Sequence, residues 1–171
     1  ITASDIRIAS RLMNVGSRSI NALVDLTNYV MNDWSQPMHT YDAEKIQGNK
    51  IVIRASQNEE SFRLLGDIDL ILTSEDMVIA DAQSPMCLAG VKGGAHSGVS
   101  TTTTKIWLEA ATFEAGIVRR SAQRHKIRTD SSARFEKTLN AEQTIEAIQR
   151  FVYLLDAIGV NATAAQEIVW L

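Results

Sequence analysis

The chain has 171 residues, 45% of them hydrophobic and 22% charged, with a formal net charge of −3. This composition excludes a disordered chain or a fibrous repeat and fits one folded domain spanning 1–171. No apolar run approaches the roughly 18–20 residues that cross a bilayer, and Ile1-Thr2-Ala3-Ser4-Asp5 lacks the regions of a signal peptide, so neither a membrane partner nor a secretory role is expected.

In chain order, Ser4 is expected to cap a first helix whose Ile6, Ala9 and Met13 share a face and which Gly16 ends. Ser19 then precedes Ile20, Leu23, Val24, Thr27, Val30, Met31 and Trp34, whose spacing by threes and fours predicts a second helix, stopped by Gln36-Pro37. From Lys50 the period shortens. Ile51–Ile53, Phe62–Leu65, Leu70–Leu72, Met77–Ala80 and Met86–Ala89 are short apolar runs parted by polar turns and read as strands. The run from Thr101 to Thr104 reads as a polar loop, Ile106–Ala110 as a strand, and Phe113 to about Arg124 as a basic helix. Asn140 is expected to cap a last helix through Ile145, Ile148, Phe151, Val152 and Leu155, ending at Gly159, with a terminal strand over Gln166–Leu171. The predicted fold is therefore α/β of the α+β kind: a mixed, largely antiparallel sheet flanked by helices, without internal repeats. Cys87 stands alone, and His39, His96 and His125 show no zinc-ligand spacing, so a reducing cytoplasm is the expected location and no metal is expected. A chain that opens at Ile1 on polar sequence is expected to be part of a longer polypeptide.

Three features could carry chemistry. Between Arg119 and Lys137 seven basic side chains face two acidic ones, while the remainder carries ten basic and 18 acidic residues. An acidic body with one basic segment suits a partner touched at one place, such as a nucleic-acid end, although a solvated helical face gives the same pattern. The loop Gly90–Gly98 holds four of the nine glycines. It has neither the Lys-Ser/Thr of a P-loop nor the spacing of a dinucleotide fingerprint, and what glycine offers here is unusual φ and close ligand approach. Finally, Glu109 interrupts an apolar strand, where it points either to solvent or into a pocket as a buried acceptor, and His39 follows a helix end where loops present side chains.

Five stretches give these features a common context: Arg18–Met31, Gln36-Pro37-Met38-His39, Ala89–Gly94, Leu108-Glu109-Ala110 and Arg128–Lys137. In order and over nearly the whole chain they closely resemble the tRNA-editing domain of bacterial phenylalanyl-tRNA synthetase, the fused third and fourth modules of its beta subunit. The resemblance implies hydrolysis of tyrosine wrongly attached to the phenylalanine tRNA. It implies that Glu109 holds the tyrosine hydroxyl, that His39 and Thr129 line the reaction centre, and that Gly93 and Ser131 shape the cavity, with Asn28 carried over beside them. With a tRNA as partner, the local charge of the segment from Arg119 to Lys137 gives the expectation that Arg120, Arg124 and Arg128 contact its acceptor end. The implied partners are the mischarged tRNA and an alpha subunit within a heterotetramer. No cofactor is implied in this domain, ATP and magnesium being used elsewhere in the synthetase. Lys92 stands where that family more often has Met or Phe, and Thr138-Leu139-Asn140 replaces its common Gly-Val-Asp.

The chemistry of such a task can be stated independently. A pocket for phenylalanine rejects an added hydroxyl by only ~10², whereas a site that hydrogen-bonds the hydroxyl rejects its absence by ~10⁴–10⁵. A carboxylate acceptor such as Glu109 provides the second kind of site. The ester is already activated, so placing water beside it supplies much of the rate, with His39 either orienting or deprotonating that water. A noncatalytic tRNA-positioning or subunit-interface module would need the basic segment without a Glu109–His39 pocket. A small-molecule hydrolase would need the pocket without the basic segment.

Overall fold

The computed structural model describes residues 1–164, so the expected strand over Gln166–Leu171 lies outside the described residues. Helices α1 (Ile6–Asn14) and α2 (Ala22–Trp34) lead into strand β1 (Met38–Asp42). After two short turns of 3₁₀ helix come β2 (Val52–Ala55), β3 (Glu60–Leu64), β4 (Ile68–Leu72), β5 (Met77–Ala80), β6 (Pro85–Leu88), β7 (Lys92–Gly93) and β8 (Ile106–Ala110). Helices α3 (Ala115–Arg124), α4 (Asp130–Phe135) and α5 (Gln143–Ala157) follow.

The α+β class and the antiparallel pairing agree with the sequence reading, but the strands divide into three sheets: a β1–β8 ribbon, a β2-β5-β6-β7 sheet and a β3–β4 hairpin. Strands β5 and β8 fall where their apolar runs predict them. Strand β1 was not foreseen, because His39, Thr40 and Asp42 dilute its apolar signal directly after Pro37. The helix starts also shift. Asp5, not Ser4, caps α1 by accepting from the Arg7 N–H at 2.9 Å, and Asn21 caps α2 by accepting from the Val24 N–H at 3.0 Å. Ser19 donates to the buried Asp25 carboxylate at 2.5 Å. Asn140 accepts from the Glu142 N–H at 3.1 Å, before α5 begins. Helix α1 turns Ile8, Ala9 and Leu12 inward and leaves Ile6 and Met13 exposed, since both sets satisfy the helical spacing and α2 lies on the Leu12 side. Thr103, read as part of a loose loop, is buried and donates to Asp42 at 2.6 Å, tying that loop to the end of β1.

Three apolar clusters fill the interior. One packs the β3–β4 hairpin and β5–β6 against Val118 and Ala122 of α3 and Phe135 of α4. A second packs α1, α2 and α5 together, with Met38, Ile106 and Leu108 of the ribbon against it. A third, built on Tyr41, Ile79, Met86 and Cys87, lies between ribbon and sheet. The ribbon is thus held on both faces, and its pocket-facing side chains stand on a packed support.

Candidate active site

The antiparallel register of the ribbon sets His39 directly opposite Glu109, so both side chains leave the same face. Tyr41, two residues along β1, shares that face. Its hydroxyl donates to Glu109 Oε2 at 2.5 Å, and its ring meets that of His39 edge-on with centroids 4.6 Å apart. Above them lies a cavity of about 360 Å³ bounded by α2, the ribbon, the glycine loop and α4. His39, Glu109, Gly93, Thr129, Ser131 and Asn28 all line it. Residues from five parts of the sequence therefore meet in one place.

Desolvation governs the electrostatics. Burial pushes the Glu109 carboxyl up to about 7 against the opposing pull of the Tyr41 hydrogen bond. Burial also pushes His39 down to about 4, so its imidazole is neutral at physiological pH. The Nε2 atom of His39 is buried beside Gly93 without a hydrogen-bond partner. Glu109 Oε1 is less enclosed and has no hydrogen-bond partner among the described residues, while Oε2 is taken by Tyr41.

The glycines are explained by close approach. A Cβ on Gly93 would lie 2.6 Å from His39 Cε1, so any side chain there displaces the imidazole before it fills the cavity. Gly90 adopts φ +71°, and a Cβ there would meet Val118 at 2.8 Å. Thr129 caps α4 and shares a capping box with Ser132. Its hydroxyl donates to the Val91 carbonyl at 2.8 Å and accepts from the Ser132 N–H at 3.0 Å, which ties α4 to the glycine loop. Ser131 Oγ sits 3.8 Å from Met31 Sδ, its only side-chain contact of hydrogen-bond type among the described residues.

The sequence reading missed Tyr41, whose alternation with His39 was the available signal, and Gln36. The buried Gln36 amide donates to the Pro37 and Ala111 carbonyls at 3.1 and 2.9 Å and closes the open end of the ribbon. No group of three or more His, Cys, Asp or Glu residues is placed to hold a metal among the described residues.

The basic segment is divided between paired and unpaired cations. Arg124 donates to the buried carboxylate of Asp76 at 2.6 Å and also pairs with Glu75. Arg120 lies 3.8 Å from Glu114, and Arg128 bonds Glu136 at 3.1 Å, both arginines being exposed. None of the three lines the cavity. Arg119, Lys126 and Lys137 are exposed and form no ion pair among the described residues. They are the unengaged cations of this stretch.

Residues 1–159 match the B3/4 domain family. The chain is 42% identical over 152 residues to the phenylalanine–tRNA ligase beta subunit of Shouchella clausii, covering 89% of this chain and 19% of that protein. It is 42% identical over 175 residues to the beta subunit of Lactobacillus johnsonii, covering 98% and 22%, and 42% identical over 149 residues to that of Porphyromonas gingivalis, covering 86% and 18%. The chain spans about a fifth of the length of these relatives.

Proposed function

This chain belongs to the B3/4 domain family, and on that premise we propose that it hydrolyses the ester of tyrosine mischarged on the phenylalanine tRNA. The observation that carries the reading is a carboxylate with one free oxygen, Glu109 Oε1, sharing a cavity of about 360 Å³ with a neutral imidazole on the neighbouring strand. A phenol reaching Oε1 gains a charge-assisted hydrogen bond worth about 1.5–3 kcal/mol, or roughly 10- to 100-fold in selectivity. Phenylalanine leaves that oxygen bare. The cognate amino acid is therefore rejected by the cost of an unpaired buried acceptor and not by its size.

At the ester end His39 is a weak proton acceptor, because burial has lowered its basicity. Its role is to hold the attacking water beside the ester, with the activated ester supplying the driving force. Thr129 holds the glycine loop in place through Val91. The tRNA end arrives along Arg119, Arg120, Lys126 and Arg128, while Arg124 serves the fold. In the complete cytoplasmic enzyme, an alpha subunit completes the heterotetramer, and charging with ATP and magnesium takes place outside this domain.

The test is release of tyrosine from charged tRNA by the assembled synthetase, compared with release of phenylalanine. Glu109→Ala is expected to reduce the tyrosine preference 10- to 100-fold. An unchanged preference removes Glu109 from recognition, and absence of tyrosine release by the parent removes the editing reading.

A further inference from the structure

We infer that Tyr41 is a positioning residue for specificity: its hydroxyl fixes Oε2 of Glu109 so that Oε1 is presented to the bound amino acid. The inference rests on the editing reading of the cavity. Its own support is geometric. The 2.5 Å bond from Tyr41 to Glu109 is the only side-chain hydrogen bond that Glu109 makes among the described residues. Tyr41 is 1% exposed and packs with Ile79, Met86 and Cys87, so the donor cannot swing away without opening that cluster. The same ring is edge-on to His39, so one side chain touches both His39 and Glu109.

A glutamate has three rotatable bonds, and without an internal donor its carboxylate samples several positions. Selection between tyrosine and phenylalanine needs the acceptor where the phenol arrives, since pre-organisation removes an ordering cost from binding. Tyr41 supplies that restraint. It also leaves Glu109 with one bond when phenylalanine is present, which confines the specificity signal to the Oε1 side.

Tyr41 also influences the charge of Glu109. The groups that meet the carboxyl are His39 and Tyr41 from β1 and Cys87 from β6, with Lys92 in the cavity lining from β7. Burial keeps Tyr41 as a phenol and Cys87 as a thiol, and keeps His39 neutral above about pH 5. Among Tyr41, Cys87, His39 and Glu109 it is thus Glu109 whose charge changes between pH 5.5 and 8.5. Because the hydrogen bond from Tyr41 favours its ionised form, losing the hydroxyl delays ionisation.

The experiment is Tyr41→Phe in the assembled synthetase, alone and combined with Glu109→Gln, with the ratio of tyrosyl- to phenylalanyl-tRNA hydrolysis followed from pH 5.5 to 8.5. Tyr41→Phe is expected to lower the ratio about tenfold at pH 7 and to move its rise about one unit towards higher pH. In the Glu109→Gln background it is expected to change neither. An unaltered ratio and pH profile, or an equal loss in both backgrounds, overturns the inference and leaves Tyr41 as packing alone. If the parent shows no tyrosine preference, the editing reading fails, and the chain's unfolding in urea decides the Tyr41–Glu109 coupling. The destabilisation by Tyr41→Phe should then grow as pH rises from 6 to 8 and become independent of pH with Glu109→Gln. A pH-independent difference in both backgrounds overturns the coupling as well.

Discussion

Two buried carboxylates in this molecule have opposite fates. Asp76, at the turn before β5, has a fully buried side chain that receives five hydrogen bonds from four residues: the Thr73 N–H and hydroxyl, Ser121, Arg124 and His125, at 2.6–3.2 Å. Burial alone would push its carboxyl up, but these donors outweigh it and bring the group down to about 2. Glu109 has a single donor, Tyr41, and burial wins there, pushing the group up to about 7. The first carboxylate is satisfied by its own chain and fastens α3 to the sheet. The second keeps an unspent oxygen facing a cavity, which is the form an acceptor takes when its partner is a ligand.

The largest effect expected from breaking this contrast is on stability. Asp76→Ala strands Arg124 and His125 beside an emptied acceptor, and loss of one member of a buried ion pair costs about 3–5 kcal/mol. Urea unfolding at pH 7 should show that loss. Glu109→Gln, which removes a charge that nothing but Tyr41 offsets, should leave the chain at least as stable as the parent. Equal destabilisation by the two substitutions would mean that Glu109 is as structural as Asp76.

A smaller and more revealing effect lies in pH dependence. His39, lowered from 6.5 to about 4, takes up a proton more readily in the unfolded chain, so its contribution rises with pH from about 4 to 6.5. Glu109, raised from 4.5 to about 7, holds its proton more tightly in the folded chain, so its contribution is fully present below 4.5 and is lost as pH rises through 7. Each arm is on the order of 3 kcal/mol at full extent, and between pH 4.5 and 6.5 the two oppose each other. Glu109→Gln should expose the rising arm, and His39→Ala the falling one. Parallel pH profiles for parent and Glu109→Gln would show that the carboxyl titrates as it does in water. His39→Ala should also slow tyrosine release by less than ~10² with little dependence on pH from 6 to 8, since the imidazole places water and does not change charge there.

Most of the site was legible in the sequence, and its parts became a site only through pairing. Glu109 stood out because a carboxylate in an apolar strand needs a reason, and the strand was placed at its true ends. His39 was visible, but nothing local says that it sits opposite a residue 70 positions away, because register is a tertiary property. The same limit hid Tyr41, since an alternating strand that begins after a proline and contains His, Thr and Asp looks like a loop. Gly93 was read as shaping the cavity, and the structure adds a neighbour that no local pattern reveals, since its missing Cβ leaves room for the His39 ring. The basic run was legible only as a sum of charges. Its local excess of positive charge is real, yet the sequence gives no sign that Arg124 is claimed by Asp76, 48 residues earlier.

That division of the basic run supplies the smallest expected effect, and the one that best separates RNA contact from folding. Arg119 and Lys126 are exposed and unpaired among the described residues, so reversing both to glutamate removes two cations without breaking an internal bond. Each lost phosphate contact to a single strand should reduce the slope of log affinity against log salt by about 0.7. The double variant should therefore need several-fold more tRNA at low salt, converge on the parent as salt rises, and keep the parent's preference for tyrosine once saturated. Arg124→Glu makes the contrast. It should unfold at lower urea because it places a second carboxylate against Asp76, and its defect should persist at high salt. If the Arg119 and Lys126 reversal leaves the salt slope unchanged, the tRNA approaches over another face and these cations are ordinary solvated charges.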